Sequence, residues 1–563
     1  FCTRLIVSEC CRVDDAVSSR SSTTATTAEC TQRYVHWMSP PRSSLSESSR
    51  AAGLSSSSRR EGCGGGCSGG GNSNLLERAS INREREAPAI VYADHSVLSY
   101  GDLDESIGRT ARVLAEKYKL EKGDRVLART GKSIDSLRLY LATLRLGAVY
   151  VPLNPTYTKE ETAHFVQDSS PRVFVTSSHS EDSMAFRERI ESIVDEKEMA
   201  RDGDEVENGM NEIEHVTAGD PACICYTSGT TGLPKGAILT HGGLVSNATA
   251  LVNAWQFKQT DRLLHSLPFY HVHGMFISLN CALFSHSTVL WRDRFSVEDT
   301  LEWMRDATVM MGVPTYYSRL LNSPSFNRGC IPKRLRLFVS GSAPLSPAVF
   351  QKFREVTGHT ILERYGMTEA QVITSNPYEG DRQCGTVGVP LPGTEIRVNK
   401  SGILETRSNS VFGGYWRNPK KTAEEFTVDG YFITGDVGKI DENGYVTILG
   451  RGNDLIISGG LNVYPKQVED VIDHIEGVTE SAVIAVPHSD LGEAVVAVVA
   501  MKENIEESSH EKEERRILET ARSKLAGYKT PKRVIFVDCL PRNSMAKIQK
   551  NVLRDQYKGL FEV

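Results

Sequence analysis

From Leu75 to about Gly450, short runs of apolar, β-prone residues alternate with stretches whose apolar residues recur at helical spacing. SYGDLDESIGRTARVLAEKY (99–118) reads as an amphipathic helix, and GDRVLAR (123–129) reads as a buried strand. A second helix begins at Ser133 as N-cap, with Ile134, Leu137, Leu141 and Leu144 on one face, and AVYVPLNP (148–155) returns to a strand. LLHSLPFYHVHGMF (263–276), ATVMMGVPTYYSRLL (307–321) and LRLFVSGSAPL (335–345) continue the alternation. Such units predict α/β architecture, a mostly parallel sheet covered by helices on both faces. Residues 181–214, polar and acidic, are expected to be a long surface connection, and YFITGDVGKIDENGYVTILGR (431–451) two short strands around a tight turn.

A chain of 563 residues exceeds what one core normally serves, so at least two domains are expected. The part after Gly450 reads as a separate small α+β domain. In it Pro465 suits a first helical turn, Val468, Val471, Ile472 and Ile475 form an apolar face, and EESSHEKEERR (506–516) is a charged surface segment. The first 74 residues differ from the rest: rich in Ser, Thr and Gly and without periodicity, they cannot build a core. If translation starts at Met38, residues 38–60 hold Arg42, Arg50, Arg59 and Arg60 against the single acid Glu47, a pattern that resembles an organellar transit peptide. A plain disordered tail or translated non-coding sequence fits the composition equally. The expected division is therefore a leader over 1–74, a large domain over 75–449 and a small one over 450–563.

A net charge of -6 gives nucleic-acid binding no support, and no run of about 18 apolar residues argues for a membrane span. Six of the twelve cysteines lie in the first 67 residues, and none forms a zinc-like pair with a partner pair, so reduced thiols in an intracellular compartment are expected. Residues 226–236, YTSGTTGLPKG, gather hydroxyls, three glycines and Lys235 between an apolar strand, CICYT, and a further strand and helix. Glycine lets backbone amides approach phosphate oxygens closely, so this is a phosphate-holding loop rather than a solvated turn. Pro234 stands before Lys235, so the spacing is not that of a P-loop NTPase.

The loop resembles the signature of the acyl-adenylate-forming superfamily. Together with HVHGMF (271–276), GVPTYYSRLL (312–321), SGSAPL (340–345), ERYGMTE (363–369), TSNPYEGDR (374–382), GYWRNPKKT (414–422) and PRNSMAKIQKNVLR (541–554), it is most similar to malonyl-CoA synthetases. The resemblance runs from about Leu75 to the end. It implies a large N-terminal domain of parallel sheets with a β-subdomain and a small mobile α+β lid. It further implies ATP-dependent joining of malonate to coenzyme A through malonyl-AMP, with release of AMP and pyrophosphate. The implied cofactors are ATP, magnesium and coenzyme A, and the partners small molecules.

By the same resemblance, Thr227, Ser228, Thr230, Thr231 and Lys235 hold the triphosphate with main-chain donors from Gly229 and Gly232, while Thr230 and Glu369 attend the magnesium ion. Ser340, Gly341, Ser342 and Ala343, with Glu363, Arg364, Tyr365, Gly366, Met367 and Thr368, wall the adenine. Asp436 accepts the ribose hydroxyls, and Arg451 makes a second ribose or phosphate contact. Lys547 reaches from the small domain to the reacting phosphorus. A hinge near Gly450 to Asp454 then withdraws it, and Gly459 and Gly460 line a pantetheine tunnel. Malonate's second carboxylate needs a partner, for which Arg364, His271 and His273 are candidates. Met367 and Val272 limit bulk at the α-carbon. Arg364 could instead pair with Glu363 or Glu369.

Two departures from the pattern stand out. Ala546 replaces a usual glycine beside Lys547. Residues 398–412, VNKSGILETRSNSVF, are shorter than in relatives, from which the loss of most of a β-subdomain strand is expected. A ligase for another short-chain or aromatic acid, or an inactive nucleotide-binding homologue, are the alternatives.

Overall fold

A computed structural model describes residues 71–177, 185–227, 234–459, 461–503, 506–543 and 547–561. Two sheets carry the large domain. One has nine strands in the order Val389–Pro390, Gln371–Ser375, Leu362–Met367, Leu337–Ser340, Val309–Gly312, Arg262–His265, Thr288–Trp291, Pro88–Val91, Val97–Ser99; the six from Leu362–Met367 through Pro88–Val91 run parallel. The other has six, in the order Ser192–Asp195, Val173–Thr176, Arg125–Arg129, Val149–Pro152, Pro221–Thr227, Lys235–Thr240, parallel except for the last pair. The predicted helices pack on these sheets with the expected faces inward. Ser99 caps Tyr100–Glu116 and Ser133 caps Ile134–Arg145, whose Leu137, Leu141 and Leu144 are buried.

Three expectations are corrected. Within 185–214 the chain is not a plain connection: Ser192–Asp195 adds an edge strand, and Glu196–Asp204 forms a helix that buries Met199. Most of its acids lie on the outer face, but Glu196 is buried and accepts from the Ser133 and Ser177 hydroxyls. Ordered structure also reaches upstream of Leu75. Asn74, fully buried, caps the helix Leu75–Ala79 and donates to the Leu144 carbonyl at 2.6 Å. The rest of the expected leader lies outside the described residues.

The short segment 398–412 loses no strand. Glu395–Val398 turns through Asn399, whose Oδ1 accepts from the Ser401 and Ile403 amides, with Gly402 at φ 79°, and returns as Ile403–Arg407. That strand pairs with Phe432–Ile440, which pairs with Val446–Arg451, so the four-stranded antiparallel sheet is continuous. A tight Asx-type turn closes the hairpin without a longer connection.

The small domain wraps a second core around the long hairpin Val478–His488 and Gly492–Met501, joined in parallel by Arg533–Val537. The helix Pro465–Ile472 begins at the expected proline and buries Val468 and Ile472, with Ile475 buried just beyond it and Val471 at the margin. The charged segment 506–516 leads into the helix His510–Lys524, which inserts Ile517 and Ala521.

Candidate active site

Antiparallel pairing of Pro221–Thr227 with Lys235–Thr240, register Thr227 to Lys235, brings the two ends of the phosphate loop together. Ser228, Gly229, Thr230, Thr231 and Gly232 lie outside the described residues. The loop's ends meet the buried carboxylate of Glu369, which accepts from Thr227 Oγ1 at 3.0 Å and from the Tyr415 hydroxyl at 3.1 Å. Both bonds fall on Oε1, and none of the described residues bonds Oε2. The Lys235 Nζ stands 5.2 Å from the centre of the Tyr415 ring. Tyr415, in GYWRNPKKT, was not singled out from sequence; a tyrosine that binds through one hydroxyl has no local signature.

Asp436 and Arg451 face each other across the hairpin, joined at 2.9 Å, and the Tyr365 hydroxyl donates to the other oxygen of Asp436. Burial pushes the Asp436 carboxyl up, against the pull of Arg451 and Tyr365. The Lys547 amine belongs to the same cluster. Burial depresses its pKa and Arg451 adds to that, while Asp436 and Glu369 oppose. Its loop is closed by mutual bonds with Asn543, Lys547 N to Asn543 Oδ1 at 3.0 Å and Asn543 N to Lys547 O at 2.9 Å. Ala546 lies outside the described residues.

A different arrangement holds at the ends of Leu337–Ser340 and Leu362–Met367. Arg364 is 4% exposed, and its Nε and Nη2 are buried with no hydrogen-bond partner among the described residues. Neither acid beside it in sequence takes it. Glu363 instead accepts from the Leu345 amide at 2.9 Å and is pushed up to about 8 by burial, and Glu369 is engaged as described. The guanidinium lies across Gly341, where a β-carbon would stand 2.4 Å from Nε. This glycine exists for a close approach. Burial lowers the Arg364 pKa to about 10, with the Cys281 thiol close enough to oppose it slightly. Cys281, on the helix Leu279–Ser285, was not anticipated.

The opposite wall comes from His271, Val272 and His273. His273 Nδ1 lies 3.1 Å from Ser342 Oγ, and Ser342 itself holds a left-handed φ of 71°. His271 is kept neutral, its pKa lowered to about 3 first by burial and then by Lys547. The Nε2 atoms of both histidines and the Ser340 hydroxyl are likewise buried and unpartnered. Gly366 sits at a bulge where any side chain would strike the Gln371 carbonyl, and Met367 and Thr368 follow, half-buried, with Ala343 half-buried opposite. Gly459 is placed elsewhere: it turns the hairpin Ile456–Ser458 to Leu461–Val463 at φ 57°, bonded to the Leu491 carbonyl, and Gly460 lies outside the described residues.

The AMP-binding enzyme family matches residues 77–416, and the AMP-binding enzyme C-terminal domain matches residues 467–547. The chain belongs to the AMP-binding enzyme family. Among family members, a malonate–CoA ligase of Arabidopsis thaliana is 34% identical over 519 residues, 82% of this chain and 85% of that protein. The mitochondrial malonate–CoA ligase of Bos taurus is 32% identical over 533 residues, 83% and 87% of the two chains. ATP-bound MatB from Rhodopseudomonas palustris superposes with a TM-score of 0.83 at 44% identity, covering 87% of this chain and all of that one. This family membership fixes the fold as a large α/β domain with a smaller C-terminal one, and the activity as that of an acyl-CoA ligase using ATP and coenzyme A. No helix among the described residues is long and apolar enough to cross a membrane.

Proposed function

We propose that this protein is a malonate:CoA ligase. What carries the reading is the buried Arg364 guanidinium with two unpartnered N–H groups beside two neutral histidines. Such a group is expensive to leave unpaired, and a carboxylate is the ligand whose two oxygens match its fork. The activated carboxylate of malonate reacts at the phosphorus, and the second one pairs with Arg364. The Val272 and Met367 side chains would limit bulk at the α-carbon. Malonate–CoA ligases among the relatives point the same way.

In the first half reaction a malonate oxygen attacks the α-phosphorus and pyrophosphate leaves. Lys235, Lys547 and Arg451 supply positive charge around the transferring group, where fixed charge in a water-poor site is most effective. Asp436 holds the ribose and Glu363 stays protonated against the adenine wall. The hydroxyl-bonded carboxylate of Glu369, whose Oε2 no described residue bonds, has the hard-oxygen chemistry that suits magnesium, and Thr230 would be the second residue to attend it. That ion would neutralise phosphate charge. In the second half reaction the thiolate of coenzyme A attacks the acyl carbonyl and AMP departs, with Gly459 and Gly460 lining the thiol's approach after the lid turns near Gly450 to Asp454. The mitochondrial relative and the Arg-rich stretch after Met38 together favour a mitochondrial address.

The test is pyrophosphate release and CoA-thioester formation with malonate, succinate and acetate. A preference for malonate that disappears in Arg364→Ala supports the reading. Equal use of acetate by the unaltered protein overturns it.

A further inference from the structure

Lys132 follows the strand Arg125–Arg129 of the six-stranded sheet, yet its side chain ends inside the neighbouring nine-stranded one. Nζ lies 2.7 Å from Nδ1 of His265, 2.7 Å from the His265 carbonyl and 2.5 Å from the Arg292 carbonyl. It also stands 4.6 Å from the centre of the Trp291 ring. All three acceptors are neutral. A buried lysine usually has a carboxylate, because the ammonium's lost hydration must be replaced. Burial drives the Lys132 pKa well down, with Asp293 opposing and Arg292 adding to the fall. Joining the two sheets alone would be served as well by an apolar contact.

What the amine selects is one histidine in one tautomer. His265 Nε2 faces the Gly274 carbonyl at 2.9 Å and must therefore carry the proton. The ring is neutral, its pKa held to about 3 by burial first and Lys132 second, so Nδ1 is bare and accepts from Lys132. Trp291 stacks parallel to it, centroids 5.7 Å apart. The Gly274 carbonyl also takes the Leu279 amide, the widened bond that makes His273–Ser278 a π-helical turn. That turn starts with His273, whose Nδ1 meets Ser342 and whose Nε2 is open. Gly274 passes close against Pro268, whose carbonyl would lie 2.1 Å from a β-carbon at this position, so only glycine fits here.

We propose that Lys132 and His265 are positioning residues for the acid substrate: through the Gly274 carbonyl they hold the turn that sets His271, Val272 and His273 opposite Arg364. The proposal rests on the acid end assigned under Proposed function. It makes the far side of the pocket answerable to a lysine that touches neither substrate nor nucleotide.

The test compares the full chain with Lys132→Met, His265→Leu and His265→Gln. Gln can replace both bonds, accepting from Lys132 with Oε1 and donating to Gly274 with Nε2. Lys132→Met and His265→Leu are expected to raise KM for malonate and narrow the malonate-to-acetate ratio of kcat/KM by about 10- to 100-fold, the range for small misplacement of a reacting group. KM for ATP is expected to hold within about twofold, and His265→Gln to recover most of the selectivity. A role confined to folding would lower the melting temperature and leave the ratio unmoved, which would overturn the proposal.

The His265 ring supplies a readout independent of turnover. In histidine-15N-labelled protein, Nε2 should carry the proton in the unaltered chain and in Lys132→Met, held by the Gly274 carbonyl, while the bare Nδ1 resonance should shift when its bond from Lys132 is lost; an unchanged Nδ1 signal also overturns the proposal. Should the unaltered protein prefer an acid other than malonate, the substrate reading fails. The positioning pair is then judged by whether Lys132→Met shifts KM for the preferred acid.

Discussion

The two ends of the site treat their polar groups in opposite ways. At the nucleotide end Asp436 holds both Arg451 and Tyr365, and Glu369 holds both Thr227 and Tyr415. At the acid end Arg364, His271, His273 and Ser340 keep buried donors or acceptors that nothing in the described protein meets. Paired groups fix a geometry before any ligand arrives, whereas orphaned ones store a desolvation cost that only the right ligand removes. On the proposed reading, ATP would meet groups already paired, and the acid would complete those that are not.

Lys547 spans the two ends, and its removal should have the largest effect. Lys547→Ala is expected to slow pyrophosphate release by about 10²- to 10³-fold while thioester formation from supplied acyl-AMP persists. Parallel loss of both half reactions would break the assignment. Because its amine is depressed below the ordinary lysine value, adenylation should decline as pH rises through a value lower than a free lysine would give. In Lys547→Arg, measured over the same pH range, that decline should vanish.

Next in size, Arg364→Ala should cost malonate about 10²-fold in kcat/KM and leave acetate nearly untouched, as expected when a site loses the group its ligand was built to satisfy. Asp436→Asn should act on the other end, raising KM for ATP with little change in acid preference. If either variant alters both equally, the division between the ends fails.

Stability sharpens the contrast with smaller effects. Asp436→Ala leaves the buried Tyr365 hydroxyl without its acceptor and should destabilise by about 1–3 kcal/mol, whereas Arg364→Met should be neutral or stabilising in thermal unfolding without ligand. Glu363 gives the pH counterpart. Its folded-state pKa is raised from the usual 4.5 to about 8, so the folded state keeps a proton that the unfolded chain releases. Its contribution is fully present below about pH 4.5 and is lost as pH rises to about 8; Glu363→Gln should flatten that decline.

Much of the fold was legible because it depends on repeated local signals: the Ser133 cap, Pro465 at a first turn, and strand runs at regular intervals. Residues 363–369 were legible as a motif. Lys132, His265 and Tyr415 were not, since their importance lies in contacts between segments 133, 9 and 46 positions apart, and no local pattern records these. The segment 398–412 misled for a related reason. Length comparison counts residues, while a hairpin requires only a turn tight enough to close, which Asn399 and Gly402 supply.

The crossing of Arg364 over Gly341 has a consequence for remodelling. Space and charge at that point are one property divided between Arg364 on its strand and Gly341 just past the end of the neighbouring one. An Arg364→Leu protein would open a void above the glycine, and Gly341→Ala alone would collide with the guanidinium. Made together, the two changes fill each other's fault. On the proposed reading, Arg364→Leu alone gives up the preference for a second carboxylate, but a well-packed pocket for a simple aliphatic acid also needs the change at Gly341, which becomes possible only once the guanidinium is gone.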